Sequence, residues 1–124
     1  MSKTHSFRPL AEIRPHTLRD GVTARALSGE RMTLAVVDLG PGSTVPEHQH
    51  ENEQLGFILR GSMVFTIGGE KRDLVSGDTY VIPSNVPHDA VAGAQGCTAV
   101  DSFAPPRADW EKLERPDPFP PEWP

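Results

Sequence analysis

Short apolar runs, broken by glycine turns about every ten residues, constrain this chain more than any other feature. Residues 22–27, 32–39, 55–59, 63–67, 71–75, 79–82, 86–91 and 97–103 read as short strands, of which 32–39 is the most clearly β-rich. Between them lie Gly40-Pro41-Gly42, Arg60-Gly61-Ser62, Gly68-Gly69 and Ser76-Gly77. The Gly-Gly pair is a strong signal for a tight hairpin. This pattern predicts an all-β fold, an antiparallel β-barrel or sandwich. A length of 124 residues suits one domain. We expect an arm over residues 1–20, the barrel over 21–104 and a tail over 105–124. Seven of the last twenty residues are proline. Residues 108–114 are expected to form a short helix with Trp110 and Leu113 on one side. Beyond it the chain should run as an extended surface strap, with Phe119 and Trp123 covering the barrel.

Composition removes several function classes. The net charge is −5 and no basic block exists, which argues against nucleic-acid binding. No stretch approaches the roughly 18 apolar residues of a membrane span. The first eight residues hold no apolar run, and the single cysteine, Cys97, excludes an internal disulfide. A cytoplasmic protein is the expectation.

Histidines carry the chemistry. His48 and His50 are two apart, and in a strand such residues share a face, so their imidazoles converge. His88 follows in a similar context. Three imidazole nitrogens suit a divalent transition metal: Ni, Mn, Fe, Co or Zn. A fourth ligand is available from Glu51, Glu53 or Gln54; parity with the histidines favours Gln54, and Glu53 is the fallback. A second constellation lies in residues 97–103. If Ala99 and Phe103 face the interior, so does Asp101. A buried carboxylate needs either a partner, such as Arg107 or a backbone amide, or a task as a general acid/base.

The spacing Gly42-x5-His48-x-His50, followed by Gly77-x5-Pro83-x-Asn85-x2-His88, resembles the two-part signature of the cupin family. Asn85 stands where glycine is usual, and asparagine is the next best residue for a left-handed turn. Ala92 stands where asparagine is usual, which removes a structural hydrogen bond and no ligand. The resemblance implies a single antiparallel barrel or jelly roll, and a homodimer in which an edge strand near residues 20–27 crosses to its partner. Within cupins, His48-x-His50-x3-Gln54-x-Gly56 and Asp101-x-Phe103-x-Pro105-x-Arg107-x-Asp109-Trp110 look like the KdgF-type proteins, which linearise uronates. That likeness implies ring opening of 4,5-unsaturated monouronates to linear keto-deoxyuronates. His48, His50, Gln54 and His88 would hold the metal. Asp101 would be the acid/base, Phe103 would shape the pocket, and Arg107 would grip the carboxylate of a small anionic sugar. Three alternatives stand beside it: an Fe(II)-dependent dioxygenase, a polyketide cyclase, and a non-enzymatic sugar-binding cupin. Ala104, where serine is usual, and the long proline-rich tail depart from the pattern.

Overall fold

The computed structural model describes residues 5–124. Eight strands run β1 (His16–Arg19), β2 (Val22–Ser28), β3 (Thr33–Leu39), β4 (Thr44–His48), β5 (Glu53–Ile67), β6 (Glu70–Val75), β7 (Thr79–Ile82) and β8 (His88–Ala104). Short 3-10 helices at Leu10–Glu12 and Ala108–Lys112 flank them. Every pairing is antiparallel, in the order β1-β2-β3-β8-β5-β6, with β4 on β8 and β7 on β5. The expected all-β jelly roll is therefore present. Its hydrogen-bonded path does not close on itself, so it is an open roll and not a sealed barrel.

Two expected turns are bends inside long strands. Arg60-Gly61-Ser62 was expected to separate two strands, as were residues 92–96. Instead β5 runs through 15 residues and β8 through 17, with register shifts between Ile58/Arg60 and Gly61/Met63. Such irregularities let a strand turn a corner from one layer to the next. Gly61 has φ 79° and an added Cβ would lie 2.1 Å from the Gly96 carbonyl oxygen, so the corner needs glycine for both conformation and space. Gly68 and Gly69 do form the expected hairpin, joining β5 to β6 with positive φ at both residues.

Alternation buries one face of each strand. Val22 and Ala24, Ala35, Val37 and Leu39, Met63 and Phe65, Tyr80 and Ile82, and Cys97, Ala99 and Phe103 meet inside the roll. One sheet edge lies at β1; β2 is paired with β1 on one side and β3 on the other, so residues 20–27 are not the edge that was expected. The tail does run as a strap. Thr17 N–H donates to the Glu114 carbonyl, Arg14 Nε to that of Pro116 at 2.8 Å, and the Arg25 guanidinium to that of Phe119. Phe119 also stacks on Arg25, and Phe119 and Trp123 stay 41% and 43% exposed. The expected helix over 108–114 shortens to a 3-10 turn ending at Lys112.

Candidate metal centre

His48 ends β4 and pairs in register with His88, the first residue of β8, so the two rings meet across the strands with centroids 4.3 Å apart. His50 lies just beyond β4, and not on the strand as parity counting assumed. Its loop is pinned by Asn85, whose N–H donates to the His50 carbonyl at 2.8 Å. Asn85 adopts φ 61°, the left-handed turn anticipated for it. One ligand atom from each of His48, His50 and His88 lies within 4.8 Å of the others.

The three rings are oriented alike. Each Nδ1 lies 2.9 Å from a backbone carbonyl two residues away: Pro46 for His48, Asn52 for His50, Val86 for His88. A carbonyl only accepts, so each Nδ1 carries the hydrogen and each Nε2 keeps its lone pair. Burial lowers the pKa of His88 to about 4, and burial followed by Arg107 lowers that of His50, which keeps both rings neutral. Gln54 supplies the fourth group. Its amide N–H donates to Asp101 Oδ1 at 3.1 Å, which turns its carbonyl oxygen toward His50 Nε2 at 3.2 Å. Two acceptors thus face one another. A cation between them relieves that opposition, and three imidazole lone pairs with one amide oxygen suit a divalent transition metal. Glu53, the fallback ligand, is exposed and outside this cluster.

Asp101 is 5% exposed on β8 and takes both of its hydrogen bonds on Oδ1, from the Tyr80 hydroxyl at 2.7 Å and the Gln54 amide. Oδ2 has no partner among the described residues, yet is not sealed off, so it opens on the cavity that Asp101 lines. Burial raises the carboxyl pKa to about 6 against the opposing pull of its two donors. Gly56 makes this arrangement possible. It stands in register between Tyr80 on β7 and Asp101 on β8, and a Cβ there would lie 2.2 Å from Asp101 Oδ1 and 2.8 Å from the Tyr80 ring. The missing side chain lets the hydroxyl cross β5 to reach the carboxylate.

Arg107 does not bond Asp101. Its guanidinium lies between Phe103 and Trp110, 4.8 and 4.4 Å from their ring centroids, and forks onto Asp109 through Nε at 3.1 Å and Nη2 at 2.9 Å. That fork holds the Asp109 carboxyl below its usual range. Nη1 makes no hydrogen bond among the described residues and is not sealed off. The cavity measures about 400 Å³. His48, His88, Gln54, Asp101, Phe103 and Arg107 lie in its wall, and aliphatic residues such as Val22, Leu39, Val45 and Met63 line much of the rest. Sequence reasoning missed Tyr80 and the partnership of Asp109 with Arg107. Tyr80 was signalled only by sharing the inward parity of Ile82.

Fold and site together define a cupin: residues 35–100 match the Cupin domain family, and the chain belongs to it. Among relatives, it is 30% identical over 95 residues to the pectin degradation protein KdgF of Dickeya dadantii, covering 75% of this chain and 86% of that one. It is 31% identical over 103 residues to the dimethylsulfoniopropionate lyase DddW of Ruegeria pomeroyi, covering 83% of this chain and 64% of the lyase. The solved structure of KdgF from Halomonas sp. superposes with a TM-score of 0.79 at 30% identity, over 86% of this chain and 98% of that one.

Proposed function

We propose that this protein is a metal-dependent enzyme that opens and ketonises 4,5-unsaturated monouronates. The observation that carries the reading is Asp101: a buried carboxyl held by neutral donors, with a pKa raised to about 6, beside three convergent imidazoles and the Gln54 carbonyl oxygen. His48, His50, His88 and Gln54 would hold a divalent metal, which when bound supplies Lewis acidity toward the sugar oxygens. The similarity to two KdgF proteins supports the substrate class.

Opening the hemiacetal of such a sugar yields an aldehyde and an enol. The enol becomes a ketone when its hydroxyl loses a proton and the neighbouring carbon gains one. Asp101 Oδ2, facing the cavity, takes the first proton and delivers the second, so the carboxyl ends as it began. Tyr80 and Gln54 fix the carboxyl through Oδ1 and leave that oxygen free. Phe103 forms the cavity wall beside His50, 5.8 Å between ring centroids. Arg107 reads the uronate carboxylate through Nη1 while Asp109 holds the rest of its fork. The chain acts as one domain over residues 1–124, and as a homodimer. Leu34, Leu55, Phe57 and Val81 lie exposed on adjoining strands of one outer face, which suits burial against a second copy.

The aliphatic cavity favours a second reading, in which a less polar substrate undergoes oxygen-dependent cleavage or cyclisation at the same centre. Turnover of unsaturated galacturonate and its alginate counterpart, with metal content read on the same sample, separates the two. Metal-dependent acceleration of ketone formation is expected. Bound metal without acceleration overturns the uronate reading in favour of the second.

A further inference from the structure

A second hollow, of about 280 Å³, lies against the same Arg107 and Trp110 that wall the first cavity. Arg8 from the arm, Arg115 from the tail and Arg107 line it, with His16, Ser28 and Thr33. Among the described residues, Glu111 is the one carboxylate in its wall. Arginines from the arm and the tail meeting at a small hollow are a local concentration of positive charge in a chain whose net charge is −5.

His16 backs the hollow: it is 8% exposed, and its Nδ1 is sealed away from solvent. Thr33 is already used: its Oγ1 bonds Ser28 Oγ at 2.8 Å and accepts the Arg107 N–H at 2.9 Å, which stiffens the floor. The arm and the tail are tied together nearby, by Thr17 to Glu114 and by Arg115 to the Arg14 carbonyl at 2.5 Å.

We propose that this hollow is a binding site for a small oxyanion, a carboxylate or a phosphate, held by Arg8 and Arg115. Guanidinium forks match the planar or tetrahedral oxygens of both ions, and the volume admits phosphate or a short-chain carboxylic acid. The bound ion would clamp the arm to the tail across the back of Arg107.

The test is titration of the metal-loaded protein with inorganic phosphate and, separately, with acetate. Binding is read by calorimetry and by the NMR signals of the His16 ring. Saturable binding of at least one ion is expected, with His16 signals moving, and with affinity falling at least tenfold in Arg8→Ala and in Arg115→Ala. Both arginines are exposed, so circular dichroism should show these variants folded. The two arms of the titration decide which oxyanion the site takes. No binding of either ion, or binding equally tight in both variants, as ligation at the metal would give, overturns the proposal.

Discussion

Two aspartates on paired strands, Asp101 and Asp38, differ in the charge of the partners that surround them. Asp101 points into the roll; Asp38, on β3, points outward beneath the tail. Both are nearly buried and both are hydrogen-bonded. Asp38 takes a cation: Arg25, 1% exposed, approaches its Oδ2 at 3.4 Å, while the Thr98 hydroxyl donates to Oδ1 at 2.7 Å and the Glu122 N–H to Oδ2 at 3.3 Å. Asp101 takes only neutral donors, both on one oxygen. A carboxylate paired with a buried cation serves as a structural tie. One with neutral donors and a free oxygen stays near its titration point and can pass protons.

Three substitutions probe that difference. Asp101→Asn keeps the shape and removes the transferable proton, so turnover should fall by about 10²–10⁴-fold while metal content stays unchanged. Retained turnover would take Asp101 out of the mechanism. Asp38→Ala should do the reverse. It strands the Arg25 guanidinium without its carboxylate, so urea unfolding should report a loss of about 3–5 kcal/mol, with turnover per folded molecule intact. The smallest effect belongs to Tyr80→Phe. The hydroxyl favours the ionised form of Asp101, so removing it should raise a carboxyl pKa already at about 6. A hydrogen bond to a charged group contributes about 1.5–3 kcal/mol, so the acidic limb of the pH–rate profile should move up by about one to two units. An unmoved limb would mean that another group sets it.

How much of this was legible in the sequence follows from how local each feature is. His48, His50, Gln54, His88 and Asp101 were found by spacing and parity, which are properties of single strands. The structure brings all five together, although His50 reaches the cluster from a loop and not from strand parity. Tyr80 was missed because its role depends on registers linking three strands, Tyr80 to Gly56 and Gly56 to Asp101. The corner at Gly61 was read as a turn because glycine signals the backbone conformation without saying whether the chain reverses or merely bends. Nothing in the candidate strand over residues 22–27 marked Arg25 as buried; its cover comes from the returning tail, 94 positions on at Phe119. The Asp109 fork needed no long-range register, but nothing in the Arg-x-Asp spacing says that the guanidinium turns back on its own loop.

Gly56 has a consequence for how this chain can vary. Every single-nucleotide change of a glycine codon that alters the residue introduces at least a β-carbon, and the space at position 56 is already shared by a carboxylate oxygen and an aromatic ring. Mutational drift can therefore repaint the cavity wall one aliphatic residue at a time, exploring new substrates, while position 56 admits no such gradual route. The smallest enlargement available there strikes the Tyr80–Asp101 pair directly. Lineages that abandon this glycine should have abandoned the Tyr80–Asp101 contact with it.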